Sequence, residues 1–271
     1  MNEEIYNKEY YLQEIQKILD EIESNTGSSI VFNEEECNHV PIGTTKLGGL
    51  PDLPKSVDYP ECEAYSIFPN IKLPLVCQIN CEELAPFLDS ESKVPKKGII
   101  YIFWNDEDPG YAMKQYGIHA LRVYYWDGNT SNLIRKQADE KTKLRPEKKV
   151  TFSKYQEVSV ERFKQRIGNL FDELSSECKD LGISYYNTEI YDILDSIKNA
   201  SNISSYSTKL FGFRAGFAYY RDKYYNSFLQ LYEQGKGGFL GCSYITYIDV
   251  IFKDNMTGWT ELSASIDYDA D

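Results

Sequence analysis

Three short runs of apolar and aromatic residues constrain the fold of this chain most. "LPLVCQI" (Leu73 to Ile79) and "GIIYIFW" (Gly98 to Trp104) are continuous apolar runs, and "ALRVYYW" (Ala120 to Trp126) alternates between two faces. Runs of this length that are rich in β-branched and aromatic residues are typical of strands. We therefore predict a β-rich block here, with residues 121, 123 and 125 on one face of its last strand.

Helical patterns flank this block on both sides. Tyr11 to Ile22 and Val160 to Leu181 keep the spacing of three and four residues between apolar positions that indicates an amphipathic helix. Asn187 can cap a further helix. Asn33 to Asn38 is polar and acidic, and we predict a connector there between the first helix and the β-rich block.

The chain becomes β-rich again from Lys209, and the order of its motifs repeats. "KLGGLP", "LVCQI" and "YIFWND" are answered by "KLFGFRAGF", "LQL" and "VIFKDN", so that Lys46 and Lys209 each lead a glycine-bearing loop. Gln78 and Gln230 lie in the strands that follow. This order predicts an α+β fold, a single domain of two related β-rich halves that share a core, with peripheral helices.

The repeated order also sets the predicted domain boundaries. Residues 1–40 form an N-terminal helix and acidic connector, and residues 41–271 form the α+β domain. Its halves span about 41–150 and 205–271, with a helical insert at 157–200. Because polar side chains of facing strands can converge between duplicated halves, Gln78 and Gln230 are candidate ligand-binding residues in a cleft.

The stretch "KLGGLPDLP" (Lys46 to Pro54) is either a phosphate-binding loop or a structural motif. A phosphate-binding loop needs a lysine and a serine or threonine after its glycines, followed by a helix. Here the lysine comes first, and Pro51 and Pro54 prevent a helix from following directly. We predict a structural motif, in which Gly48 and Gly49 permit a positive φ or a close backbone approach and the prolines fix an extended exit.

Charge and composition narrow the classes of partner. The net charge of −13 and the pI near 4.8 disfavour nucleic acid and anionic membranes as partners, and they suit a basic protein. No apolar run is long enough to cross a bilayer, and the N-terminus lacks the residue order of a secretory signal. The six cysteines are scattered, without C-x-x-C spacing. These observations predict a cytoplasmic protein with reduced thiols.

The sequence carries no recognisable catalytic or metal-binding set. Its two histidines, His39 and His119, lie in no nucleophile motif and in no metal-ligand spacing. We therefore name no catalytic residue, metal ligand or cofactor, which leaves enzyme activity open with the balance against it. Arg135 to Lys149 is the one basic segment, with seven basic and three acidic residues, and we predict a solvated loop or exposed hairpin.

Three motifs in order resemble a known family. "KLGGLPDLP...DYP", then "LPLVCQIN" with a following "EEL", then "KKGIIYIFW", occur between about Pro41 and Trp126, and together they resemble the YwqG-like family, a bacterial domain of unknown function. The resemblance implies one α+β domain of two related halves and no established chemistry. Some family members look like immunity proteins encoded beside secreted toxins. The resemblance is looser after Lys209, where "KLFGFRAGF" replaces a glycine-glycine-proline loop.

Two hypotheses for function follow. The first is a non-catalytic cytoplasmic binding protein, of the immunity type, that recognises a basic protein partner through its acidic charge and its many aromatic residues. The second is a small-molecule-binding protein or an enzyme of unrecognised type, with a site between the two halves near Gln78 and Gln230.

Overall fold

The computed structural model describes most of the chain, and the described residues are 6–24, 26–37, 39–62, 71–105, 121–158, 163–200, 208–211, 228–233 and 244–270. They divide into two compact units. We call the described residues of 1–29 and 155–207 the helical unit. We call those of 30–154, 208–211 and 227–271 the barrel unit.

The helices confirm the predicted patterns. The described helices are α1 (Lys8–Ser24), α2 (Cys81–Leu84), α3 (Lys164–Asp180) and α4 (Glu189–Ala200). Tyr11, Ile15, Ile18 and Ile22 of α1 are buried at the predicted spacing, and they belong to one apolar cluster with residues of α3 and α4. No described helix is both long enough and apolar enough to cross a membrane.

The described strands number fourteen. They are β1 (Thr26–Glu36), β2 (Lys46–Leu47), β3 (Asp52–Pro54), β4 (Glu61–Cys62), β5 (Ile71–Lys72), β6 (Leu75–Asn80), β7 (Ile99–Trp104), β8 (Leu121–Trp126), β9 (Leu133–Arg135), β10 (Lys148–Val158), β11 (Lys209–Phe211), β12 (Leu229–Glu233), β13 (Tyr244–Ile251) and β14 (Trp259–Ala270). The three apolar runs from which the β-rich block was predicted contain β6, β7 and β8.

Ten of these strands close into one barrel. Their order around it is β1-β10-β2-β6-β7-β8-β14-β13-β12-β11, while β3 pairs with β9 and β4 with β5 in two small sheets. Every strand pair whose register is described is antiparallel. The predicted α+β fold, a single domain of two related halves with peripheral helices, is therefore wrong. Closure makes β11, at one end of this order, a neighbour of β1 at the other end, and it leaves the barrel no free edge.

The strand β1 replaces part of the predicted acidic connector. Ile30 and Phe32 alternate along β1 and are buried in the core of the barrel unit. The acidic end of the strand is also partnered, because Lys148 Nζ on β10 lies 2.6 Å from Glu34 Oε2. Alternating burial and neutralised charge explain why this acidic stretch is a strand.

The strand β7 is buried on both faces, which explains its continuous apolar sequence. Ile100, Ile102 and Trp104 belong to one apolar cluster, and Ile99, Tyr101 and Phe103 belong to a second. The first cluster also contains Leu121, Val123 and Tyr125 of β8. The prediction that these three residues share one face is confirmed.

Candidate functional site

A buried ionic cluster lies at the start of the stretch Lys46 to Pro54, in the barrel unit. Lys46 Nζ lies 3.1 Å from Glu147 Oε2 and 3.5 Å from Asp52 Oδ2. Arg135 Nε, on β9, donates a hydrogen bond to Asp52 Oδ1 at 2.8 Å. The side chains of Lys46 and Asp52 are wholly buried. Two cations face two anions, so the charges within the cluster balance and none is left without a counter-charge.

The two glycines allow this cluster to form. Gly48 and Gly49 have φ values of +60° and +70°. A Cβ atom at Gly48 would lie 2.2 Å from Pro146 O, and one at Gly49 would lie 2.5 Å from Glu147 Oε2. Any other residue at these two positions would therefore push away the segment that brings Glu147 to Lys46.

The two prolines flank the short strand β3. Pro51 precedes the strand, and its carbonyl accepts a hydrogen bond from Lys136 N at 2.9 Å. Pro54 ends the strand opposite Leu133 of β9. After its glycines the stretch is therefore extended, and this extended part pairs with β9. The pairing brings Arg135 opposite Asp52.

The side chain of Gln78 forms hydrogen bonds to Asp52 within the same stretch and to Thr44 just before it. Its Nε2 donates to Asp52 Oδ2 at 3.0 Å and to Thr44 O at 2.9 Å, and its Oε1 accepts from Asp52 N at 3.0 Å. The side chain is wholly buried opposite Lys46. Both polar atoms of Gln78 thus bind within the chain, and its role in binding a ligand stays a prediction.

Asn80, at the end of β6, caps the helix α2, and this cap is hydrogen-bonded to the residue that precedes the stretch. Asn80 Oδ1 accepts from Glu82 N at 2.9 Å, as expected of an N-cap of α2. The carboxylate of Glu83 accepts from Thr45 N at 2.9 Å, and Asn80 N donates to Thr45 Oγ1 at 3.0 Å. Thr45, the residue before Lys46, is therefore fixed to both the cap and the helix.

Burial and oppositely charged partners shift the pKa values of the buried residues in the cluster in opposite directions. Burial raises the pKa of Asp52, but the hydrogen bonds from Arg135 and the charge of Lys46 lower it more, so that this pKa lies below its ordinary value. Burial lowers the pKa of Lys46 by more than the charges of Asp52 and Glu147 raise it. Asp52 is thus ionised at neutral pH and anchors the cluster.

The second lysine and glutamine of the repeated order form a matching strand pair. Lys209 of β11 lies opposite Gln230 of β12, as Lys46 of β2 lies opposite Gln78 of β6. Both side chains of the second pair are buried. The next strand also matches, because Gln230 lies opposite Tyr247. Tyr101 holds the same place opposite Gln78.

The backbone repeats as well. Phe211 has a φ of +58°, and it stands two residues after Lys209 as Gly48 stands two residues after Lys46. Phe211 N donates to Phe228 O at 3.2 Å, while Gly48 N donates to Val76 O at 2.9 Å. The repeated sequence order thus corresponds to a repeated local structure, although the fold class predicted from it is wrong.

Metal-ligand groups and thiols are the two kinds of chemical group that bear on catalysis in the described part of the chain. No three His, Cys, Asp or Glu side chains among the described residues lie close enough together to hold a metal ion. Burial raises the pKa of the Cys77 thiol, and it raises that of Cys81 to about 12. His119 lies outside the described residues, and His39 is exposed. The buried thiols of Cys77 and Cys81 are therefore poor nucleophiles.

The basic segment 135–149 contributes cations to the barrel unit. Arg135 belongs to the ionic cluster, and Lys136 Nζ donates to Lys55 O at 3.1 Å. The Arg145 guanidinium lies 5.9 Å from the centroid of the Trp104 ring. Part of the segment is therefore bound to the chain itself, while residues 139–141, 143 and 144 are exposed in a loop, and the predicted solvated loop applies to that part.

The helical unit carries a different candidate, a group of three tyrosines of which Tyr186 is exposed and Tyr185 and Tyr191 are half-buried. Its rings pack closely, with centroids 4.0 Å apart for Tyr185 and Tyr186 and 4.9 Å apart for Tyr186 and Tyr191. Tyr186 is 58% exposed, and Leu181 and Ile183 beside it in sequence are exposed too. We call these five residues, which lie between the end of α3 and the first turn of α4, the tyrosine surface.

The turn that carries this surface has a defined cause. Gly182, which follows the C-cap residue Leu181 of α3, has a φ of +70°, and Ile183 N donates to Cys178 O at 2.9 Å. This is the hydrogen bond of a Schellman motif, which ends a helix with a left-handed glycine. The motif places Leu181 and Ile183 on either side of the glycine, at the surface.

Two tyrosines of the tyrosine surface have raised pKa values, and carboxylates contribute to both shifts. A hydrogen bond with Tyr186, then burial and the charges of Tyr186, Tyr191 and Asp172, raise the pKa of Tyr185 to about 12. Burial and the charges of Asp195, Tyr186 and Asp192 raise the pKa of Tyr191. Carboxylates of α3 and α4 thus add to two shifts whose largest causes are a hydrogen bond and burial.

Two of these carboxylates, Asp172 and Asp192, take no part in the ion pairs described for the helical unit. Those pairs join Lys8 to Glu189, Lys17 to Glu14 and Arg166 to Glu21. None of the three uses Asp172 or Asp192. The described helices α1, α3 and α4 together hold twelve acidic and six basic residues, a net charge of −6.

Sequence reasoning missed the partners of the ionic cluster and the tyrosine surface. Asp52 carried a signal, since it is the one charged residue between the two prolines of the stretch. Arg135 and Glu147 carried none, because they lie 83 positions from Asp52 and 101 positions from Lys46. The adjacent pair Tyr185-Tyr186 was visible, but its exposure depends on the turn around Gly182.

One comparison identifies a relationship. A family model described as "Domain of unknown function (DUF1963)" matches residues 45–242, which is more than half of the chain. A search of curated proteins found no match. The matched residues begin next to Lys46 and include both lysine-glutamine strand pairs.

Proposed function

The chain belongs to the DUF1963 family, a domain of unknown function, and from its surface we propose that it is a non-catalytic protein that binds a basic polypeptide. One observation carries this proposal. Exposed apolar and tyrosine side chains occur in the helical unit together with an excess of carboxylates. Aromatic side chains anchor protein interfaces, and complementary charge speeds the encounter with the partner.

The distribution of exposed side chains supports this choice of unit. Ten large apolar or tyrosine side chains are exposed among the described residues. Seven of them belong to the helical unit, which is the smaller of the two: Tyr10, Leu12, Leu19, Tyr155, Leu181, Ile183 and Tyr186. Exposed apolar groups within charged surroundings are typical of interaction surfaces.

The proposal has a narrower form, which the acidic surface and the resemblance to the YwqG-like family support. In this form the protein is of the immunity type, and its partner is a basic toxin domain that it neutralises in the cytoplasm. The free thiols of Cys77 and Cys81 suit such a location.

The alternative hypothesis has less support among the described residues. It places a small-molecule site, or an enzyme active site of unrecognised type, near Gln78 and Gln230. Gln78 binds Asp52 and Thr44 with all of its polar atoms, so a ligand would have to displace these hydrogen bonds. The alternative stays a prediction for Gln230.

Capture from a native lysate at low salt, with native mass spectrometry of the eluate, tests the proposal. The wild-type chain is compared with Asp172→Lys/Asp192→Lys, and with Asp254→Lys as a matched control on an exposed residue of the barrel unit. We expect one stoichiometric basic polypeptide that the wild type and the control retain and the double variant loses. Capture of acidic partners alone, or equal capture by all three proteins, would contradict the proposal.

A further inference from the structure

The tyrosine surface has the chemistry of a site for one particular cation. An aromatic ring attracts a cation over its face, and nearby carboxylates add to that attraction. Tyr186 offers such a ring, since it is 58% exposed while Tyr185 and Tyr191 support it from within. The surface therefore combines an exposed aromatic ring with carboxylates on α3 and α4, the two helices that flank it in the chain.

The rings beneath Tyr186 fix its orientation. Tyr185 and Tyr191 pack edge to face, with centroids 5.5 Å apart and an interplanar angle of 74°. Phe171 packs on Tyr191 in the same way, with centroids 5.5 Å apart. A ring supported in this way loses little conformational entropy when a ligand stacks on it.

The charges on either side come from two different helices. Asp172 lies on α3 and raises the pKa of Tyr185, while Asp192 lies on α4 and raises that of Tyr191. Neither carboxylate belongs to the ion pairs described for the helical unit. Phe171 and Tyr191 pack against each other, and Asp172 and Asp192 are exposed and follow these two rings directly in sequence, so α3 and α4 each bring a carboxylate to the neighbourhood of the surface.

From this arrangement we propose that Tyr186, Asp172 and Asp192 form a recognition site for an arginine side chain of the partner. This inference rests on the proposed function. Guanidinium is planar, stacks on aromatic rings and donates to two carboxylates at once, whereas the lysine ammonium is a compact and strongly hydrated charge. The ring face of Tyr186 and its carboxylates therefore favour arginine over lysine.

Fluorescence anisotropy with two labelled nine-residue peptides tests the site on the full chain. One peptide alternates glycine with arginine, and the other alternates glycine with lysine. We expect the arginine peptide to bind about threefold to tenfold more tightly. Tyr186→Leu should weaken its binding about threefold to thirtyfold, and Tyr186→Phe should keep it within about twofold. Tyr155→Leu, at an exposed tyrosine outside the site, is the control and should change nothing.

The outcomes distinguish failure of the arginine site from failure of the proposed function on which it rests. If both peptides bind equally well, or if Tyr186→Leu binds the arginine peptide as the wild type does, the arginine site is wrong and the proposed function stands. If neither this peptide nor a basic polypeptide from the lysate binds at low salt, both are wrong. Circular dichroism confirms that each variant is folded, which is expected because Tyr186 is exposed.

Discussion

At Gly48, both the backbone and the space around it exclude a side chain. Its φ is +60°, and a Cβ atom would meet Pro146 O at 2.2 Å. We expect Gly48→Ala to lower the free energy of unfolding by about 2–5 kcal/mol, because strain and collision add. Gly182→Ala is the control, since its φ is +70° but its Cβ would meet no atom, and it should cost about 1–2 kcal/mol. Equal losses in urea denaturation would contradict the collision.

Asp52 is the residue at which charge and stability are most closely linked. We expect Asp52→Asn to cost about 3–5 kcal/mol at pH 7, because it leaves Lys46 and Arg135 with one anion fewer in a buried site. Asp254→Asn, at an exposed carboxylate, should change the free energy of unfolding by less than about 0.5 kcal/mol. A loss below about 1 kcal/mol for Asp52→Asn would contradict the anchoring role.

The same variant carries a pH prediction. The pKa of Asp52 in the folded chain lies below its ordinary value, and an unfolded aspartate has a pKa of about 3.9. The carboxylate therefore stabilises the fold above about pH 4, and this contribution is lost as the pH falls through the folded pKa. The difference in stability between wild type and Asp52→Asn should shrink from pH 5 to pH 2. A constant difference over that range would be evidence against the shift.

At the scale of elements, the two lysine-glutamine strand pairs make a joint prediction. Gln78→Leu removes the partner that Gln78 gives to Asp52 N and Thr44 O and one of the donors to Asp52 Oδ2, and it should cost about 3–5 kcal/mol. Gln230→Leu should cost a similar amount, because Gln230 is buried opposite a buried lysine in the same register. The control is Gln156→Leu, on the exposed part of β10. A cost for Gln230→Leu as small as that of the control would show that the two pairs differ in role.

Strands and helices were predictable where buried apolar residues recur at regular spacing in the sequence. The helix α1 and the strands β6, β7 and β8 show such periods. The closure of the barrel was not predictable, because β2 and β11 are two and three residues long and show no period. The strand β1 was missed because its acidic end conceals the alternation of Ile30 and Phe32. The ionic cluster depends on strand pairing between distant segments, which local pattern does not report.

At the scale of the whole molecule, the net charge of −13 is divided between the two units, and the proposed function rests on the part that the helical unit carries. In the barrel unit, the clustered charges of Lys46, Asp52, Arg135 and Glu147 neutralise one another. In the helical unit, the described helices keep a net charge of −6 beside exposed tyrosines. The association rate with a basic partner should therefore fall as the salt concentration rises, because ions screen exposed charges. Stopped-flow rates at low and high salt measure this, and equal rates would exclude steering by charge.

Hydrogen–deuterium exchange of the full chain, with and without the glycine-arginine peptide, tests the central claim most directly. The claim is that the chain binds basic polypeptides through its helical unit. We predict slower exchange on binding for the amides of residues 181–192, and unchanged exchange for β6, β7 and β8. Tyr186→Leu should abolish the protection at matched peptide concentration. Protection confined to the barrel strands, with residues 181–192 unaffected by a bound peptide, would contradict the claim.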